Sequence, residues 1–220
     1  MTYREHPSHV GKIMTNPRGK VKDPLTAGDQ LSKTARTRIQ EAYLRHKFGI
    51  KKQISNKYID KGNEQEDESI ELFAKVSGFF GVYKNENYYK NDHFVGTPDI
   101  VTDDAIIDIK TSWSGDTYPW FDTELPNKDY MYQVLAYMDL TGKRKGYVAY
   151  CLTNASETMI QDEIQRQVWR KKLIDVTDEK LLEVEDEVRG QMEYDHVPDK
   201  LRVKIFEVEY NETLLNTIKE

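Results

Sequence analysis

The chain has one cysteine, Cys151, in 220 residues, and that scarcity excludes an internal disulfide, a cysteine-built zinc knuckle and an iron–sulfur cluster. Any metal is therefore expected on oxygen ligands. Long apolar runs are missing as well. No stretch approaches the ~18 residues that a membrane span requires, mean hydropathy is −0.77, and no membrane partner is expected. The amino end lacks the basic start, apolar core and small-residue cleavage site of a secretory signal, so the expected location is cytoplasmic. A positive balance is the third absence. The formal net charge of −6 argues, as a total, against a phosphate-rich partner. Its distribution argues otherwise: residues 1–52 hold seven Lys and five Arg against Glu5, Asp23, Asp29 and Glu41, leaving an acidic remainder. Such a block is produced either by a solvated helix face or by a grip on nucleic acid.

What is present reads as one domain over 1–220: a basic segment (1–52), a core (60–152) and a carboxy-terminal part of helices and a strand (153–220). Asn16 to Asp29 is loop-like. Helices are expected from Ser32 to Lys47, stopped by Gly49, from Gly62 to Ser77, stopped by Gly78, and from an Asn127 cap to Leu140, ended by Gly142. Two more run from Glu157 to Ile174 and from Asp178 to Met192, with a short one at the end. Strands are expected at Val82–Lys90, His93–Val101, Ala105–Thr111, Gly146–Leu152 and Leu201–Tyr210. Strands bracketed by helices imply an α/β fold, a mixed central sheet covered on both faces in an α/β/α sandwich.

The chemistry concentrates in Gly96 to Lys110. A two-residue turn at Asp103-Asp104 pairs Thr102 with Ala105, which puts Asp99 opposite Asp108, their Cβ atoms ~4.5–5.5 Å apart. Alternation sets Ile106, Asp108 and Lys110 on one face and Ile107 and Ile109 on the other. Two carboxylates this close repel unless a cation neutralises them, and a hard oxygen-liganded ion such as Mg²⁺ suits them. A surface hairpin would display the same charges to solvent, but the apolar run Ala105-Ile106-Ile107 with Ile109 points to burial. On the helix from Gly62, Glu66 falls in one stripe with Ile70, Leu72, Phe73, Ala74 and Val76, so it needs a partner: the same metal, or an Arg or Lys. Gln133 and Tyr137, four apart on the next helix, share a face.

These residues resemble the PD-(D/E)xK nucleases, in the branch of lambda exonuclease, the YqaJ viral recombination nucleases and the RecB nuclease domain. Pro98-Asp99 with Asp108-Ile109-Lys110 is similar to the signature. Gly62-Asn63-Glu64-Gln65-Glu66 through Phe73 resembles the helix that brings the first glutamate, and Gln133-Val134-Leu135-Ala136-Tyr137 resembles the Gln-x-x-x-Tyr motif. The resemblance implies a restriction-endonuclease-like fold and a Mg²⁺- or Mn²⁺-dependent deoxyribonuclease, an exonuclease of phage type in recombination or replication, working in the host cytoplasm if phage-encoded. Its catalytic set would be Glu66, Asp99, Asp108, Lys110 and Gln133. Asp99, Asp108, Glu66 and the Ile109 carbonyl would hold the metal. DNA, most simply linear duplex, would be gripped by Arg36 and Arg38 of the basic segment and met by Thr111, Ser112, Trp113 and Tyr137, with Tyr118 and Trp120 as further stacking candidates. A homo-oligomer and a single-strand annealing protein are the other partners implied. A structure-specific or restriction-like endonuclease, and a DNA-binding protein that no longer cuts, share this pattern.

Overall fold

Seven residues, Ala105 to Thr111, form the strand around which the rest is built, and four of its side chains are almost wholly buried (Ala105, Ile106, Ile107, Asp108). A computed structural model of the chain describes residues 3–17, 31–52, 57–172 and 178–220. In chain order its elements are α1 (Pro7–Ile13), α2 (Lys33–Phe48), α3 (Lys57–Glu64), α4 (Glu66–Val76), β1 (Tyr89–Lys90), β2 (Val95–Gly96), β3 (Ile100–Val101), β4 (Ala105–Thr111), α5 (Lys128–Thr141), β5 (Lys145–Cys151), α6 (Glu157–Arg170), α7 (Asp178–Met192), β6 (Val203–Glu209) and α8 (Glu212–Lys219). β1 and β2 make a small antiparallel pair. The main sheet runs β3-β4-β5-β6, with β4 and β5 parallel and both outer pairings antiparallel. The parallel pair needs a crossover, and α5 supplies it.

Period-two alternation sorts the two faces. Ile107 and Ile109 join Ala149, Cys151 and the α4 residues Ile70, Leu72 and Phe73 in one core cluster. Ile106, Val148 and Val208 join Val134, Leu135, Tyr137 and Met138 of α5 in another. The sheet is thus layered between α4 and α5, the α/β/α arrangement expected. Each fully buried Ile or Leu here contributes about 1.5–3 kcal/mol. Gly146 lets α5 lie close on β5, since a Cβ there would stand 2.4 Å from Val134 Cγ1 and 2.3 Å from Met138 Cε. Gly11 does the same for α1 on α5, its imagined Cβ falling 2.6 Å from the Asp129 Cα. α6 and α7 pack on each other through Ile160, Ile164, Val184 and Val188, and Trp113 lies against that cluster. Among the described residues no helix is long and apolar enough to cross a membrane.

Several boundaries differ from expectation. The helix over Gly62–Ser77 is two helices: Gln65 leaves helical geometry (φ −103°, ψ 9°) between α3 and α4. The break lets α3 turn Lys61 inward, where its ammonium donates to the carbonyls of Trp113 (2.9 Å) and Thr153 (3.1 Å) while α4 still buries Ile70 and Phe73. The strand over Val82–Lys90 shrinks to β1, because Asn85 spends its N–H on the Asp99 carbonyl (2.8 Å) instead of joining a ladder. His93–Val101 divides into β2 and β3 around Pro98. α1, capped by His6 with Pro7 in its first turn, was not anticipated. The loop at Asn16–Asp29 lies mostly, and Ile174 lies wholly, outside the described residues.

Candidate active site

The β3–β4 hairpin fixes the first pair of groups. Ile100 pairs with Ile107 and Val101 with Ile106, and the Thr102 N–H donates to the Ala105 carbonyl at 2.9 Å. One step further out, that register sets Asp99 across from Asp108. The Ile109 N–H donates to Asp99 Oδ2 at 2.7 Å, which holds this carboxylate against β4. Asp108 is 1% exposed on the α5 side of the sheet, and two residues on, Lys110 brings its ammonium to 2.8 Å from Asp108 Oδ2. Gln133 of α5 ties the two together. Its Nε2 donates to Asp108 Oδ1 at 2.8 Å, and its Oε1 accepts from Lys110 Nζ at 3.2 Å. The Tyr130 ring, one turn earlier on α5, lies 4.4 Å from the same ammonium.

The electrostatics follow from the crowding. Burial, and then the neighbouring Asp108 charge, push the Asp99 carboxyl well above the usual carboxylate range. Burial does the same to Asp108, with Lys110 opposing it and Glu66 adding to it. For Lys110, burial alone would favour the neutral amine, but the charges of Asp108 and Asp99 outweigh it and hold the group protonated. One ammonium thus faces two carboxylates, and Asp108 Oδ2, buried, has the Lys110 ammonium as its one close partner. Two neighbouring carboxylates with a single ammonium between them carry a net negative charge on oxygen, a donor set that fits a hard divalent cation.

Glu66 is paired elsewhere. It begins α4 rather than sitting mid-stripe, its side chain is 32% exposed, and it pairs with Lys84 at 3.0 Å, Lys84 also reaching Asp67 at 2.7 Å. Its charge still bears on both aspartates. Among the described residues no three His, Cys, Asp or Glu side chains are gathered to hold a metal ion.

The residues expected to meet DNA fare differently. Arg38 is 6% exposed and is committed to Glu5, donating from Nε to Oε2 (3.0 Å) and from Nη2 to Oε1 (2.6 Å), with Tyr3 Oη alongside at 3.0 Å. It is a buried ion pair pinning the segment before α1 to α2, not an outward contact. Arg36 is exposed and donates to the Leu31 carbonyl at 3.1 Å. Tyr137 is buried, its hydroxyl donating to the Thr97 carbonyl at 3.2 Å, so it braces the approach to Asp99 from beneath. Thr111 shares a hydrogen bond with Ser69 of α4 (2.8 Å) on the sheet face away from Lys110. Ser112 is buried, and its N–H donates to the Cys151 carbonyl at 2.8 Å. Trp113 packs on the α6–α7 cluster. Tyr118 lies in a core with Leu152 and Tyr194, whereas Trp120 is 37% exposed, its indole N–H donating to the Gly115 carbonyl at 2.6 Å.

Two positioning groups escaped sequence reasoning. Asn85, besides its backbone bond, donates from Nδ2 to the Pro98 carbonyl at 2.9 Å and so grips both residues of the Pro98-Asp99 step. Lys84 neutralises Glu66. Neither carries a pattern signal: each is one polar residue in a polar stretch. A cavity of about 1260 Å³ lies beside the cluster rather than on it, between α1, α2 and the first turn of α5. Lys12, Lys33, Arg36, Lys52 and Lys128 line it, with Glu41 and Asp129 as its acids.

Comparison with known proteins gives the fold a context. No protein-family model matches the chain, and no curated protein matches it. Among solved structures, a phage-related exonuclease from Haemophilus somnus 129PT superposes with a TM-score of 0.68 at 22% identity, covering 100% of this chain and 90% of that one. The alkaline exonuclease LHK-Exo from Laribacter hongkongensis superposes at 0.58 with 14% identity, over 98% of this chain and 81% of that one. The complex of LHK-Exo with dAMP gives 0.54 and 15%, over 98% and 82%. The chain has the fold of these exonucleases, the one that the resemblance of its motifs implied.

Proposed function

We propose that the chain is a metal-dependent deoxyribonuclease that hydrolyses phosphodiester bonds, acting as an exonuclease on linear duplex DNA. The observation that carries this reading is the group of Asp99, Asp108, Lys110 and Gln133, in which carboxylates, a cation and an orienting amide meet at the carboxy-terminal half of β4. The shared fold with two exonucleases, one of them also known in complex with dAMP, supports it. Asp99 and Asp108 would hold Mg²⁺ or Mn²⁺, with the Ile109 carbonyl and, through water, Glu66. Such an ion, when bound, supplies charge to the phosphoryl oxygen and acidity to a water.

The chain's own groups do the rest. Lys110 places a positive charge where negative charge builds on the phosphorus-bound oxygens, and orients the attacking water. Gln133 keeps that ammonium beside Asp108. Burial under α5 keeps bulk water away and strengthens both effects. The cationic groove at α1 and α2 gives the duplex a path toward the cluster, since Lys128 and Asp129 line it and Gln133 stands on the same helix. A role in phage-type recombination or replication, with further copies of the chain and a single-strand annealing protein as partners, extends the same reading.

The test is digestion of 5′-labelled and 3′-labelled linear duplex beside closed circular DNA, with Mg²⁺, Mn²⁺ or EDTA, comparing the natural chain with Lys110→Ala. Loss of linear DNA alone, dependent on metal and reduced at least about a hundredfold by the substitution, is expected. Cutting of circles would replace the exonuclease with an endonuclease. Binding without any cutting would sink the catalytic reading.

A further inference from the structure

The sheet carries a row of side chains that starts at Lys110 and continues past the groups the reading above uses. Lys110 of β4 pairs in register with Tyr150 of β5, and Tyr150 pairs with Lys204 of β6. Register partners point to the same face, so lysine, tyrosine and lysine stand side by side on the α5 side of the sheet, the two lysine Cα atoms about two strand spacings, roughly 9–10 Å, apart. Aromatic rings fill the space between. Tyr130 lies 6.1 Å from Tyr150, and Phe206 lies 5.8 Å from it on the other side. Lys204 pairs with no carboxylate among the described residues; its ammonium donates to the Trp120 carbonyl at 3.1 Å, which leaves two of its three donors unused.

That hydrogen bond anchors a loop at the end of the row. Trp120 is braced on Tyr118 with ring centroids 4.7 Å apart. Phe121, the next residue, is 94% exposed. Asp122, also exposed, bears on Tyr150, so Lys204 is the charge that offsets it for an anionic ligand. A bare phenyl ring, an unpaired ammonium and a tyrosine shelf leading to Lys110 are the parts of a stacking platform for single-stranded nucleic acid.

We propose that Lys204 and the Trp120–Phe121 loop form a subsite for the nucleotide next to the one being cut: Lys204 takes its phosphate, and Phe121 stacks on its base. The assignment of the cut bond rests on the proposed function, but the subsite is a binding property and is testable alone. The probes are a 3′-fluorescein-labelled four-nucleotide single strand and an abasic strand of equal length, titrated by anisotropy in EDTA so that no cutting intervenes. The natural chain is expected to bind the base-bearing strand at least about fivefold more tightly, the lower end of what one stacked base contributes. Phe121→Ala is expected to erase that preference and Phe121→Trp to keep it. Lys204→Gln is expected to weaken both strands alike and flatten the salt dependence, with Lys204→Arg restoring both. Equal binding of the two strands by the natural chain, a preference that survives Phe121→Ala, or no effect of Lys204→Gln would overturn the subsite. If these expectations hold while the digestion assay shows no cutting, the nuclease reading falls and the subsite stands.

Discussion

Gln133 both donates to Asp108 and accepts from Lys110, so replacing it by Leu leaves a buried carboxylate oxygen and an ammonium each short of a partner. Loss of such an orienting group typically costs about 10–100-fold in activity, and the Gln133→Leu variant should lose that much in kcat, together with about 1–3 kcal/mol of stability from the partners left unpaired. Unchanged kcat in the folded variant would mark Gln133 as packing only. A second residue-scale prediction concerns Glu5. Burial by itself pushes its carboxyl up, but hydrogen bonds from His9, Arg38 and the His6 N–H outweigh that and hold it at about 2, against an ordinary 4.5. A depressed carboxylate stabilises the fold above its unfolded value and loses that contribution as pH falls through the folded one. Glu5→Gln should therefore be less stable than the natural chain at pH 7, and the gap should close between pH 4.5 and 2. Arg38→Ala, which strands Glu5 without its cation, should cost about 3–5 kcal/mol in urea unfolding. Asp99, Asp108 and Lys110 were legible in the sequence because a hairpin's register is arithmetic once its turn is found. Arg38 was misread because charge says nothing about direction: Ala35, Arg38 and Ala42 share the buried face of α2, and no count of cations reveals which face turns inward.

Helices with strong end signals matched expectation closely. Ser32 caps α2 through the Ala35 N–H and Gly49 ends it at φ 70°; Asn127 and Gly142 bound α5 in the same way. The split between α3 and α4 has no such marker, since Gln65 is an ordinary helix former and the carbonyls that Lys61 meets, those of Trp113 and Thr153, come from far along the chain. That lysine makes a prediction about its own element. Burial lowers its pKa to about 8 from 10.5. Between those values the unfolded chain binds a proton that the folded chain has released, so folding stability gains with rising pH across that window. The difference in unfolding midpoint between the natural chain and Lys61→Met should shift in favour of the natural chain from pH 8 to pH 10. A difference that does not change with pH would mean that the amine is not desolvated in the fold.

Across the whole molecule, order of elements and layering were readable from periodicity, while the small amino-terminal helix and the brace at Asn85 were not, because both depend on residues far away in the chain. The centre of the layered structure is Cys151, wholly buried on the α4 face of β5, its thiol donating to the Ser69 carbonyl at 3.4 Å. Burial pushes its pKa up to about 12, so within the fold the thiol stays protonated and poorly reactive until the sheet opens. With no second thiol in the chain, the protein carries a single internal clock. A thiol reagent in excess should modify it at a rate that levels off with concentration, and that plateau is the rate at which α4 leaves the sheet. Modification within seconds in native buffer would contradict the buried placement. If the plateau slows when DNA is added, the same stopwatch will time how ligand binding tightens the packing on the sheet face opposite Lys110.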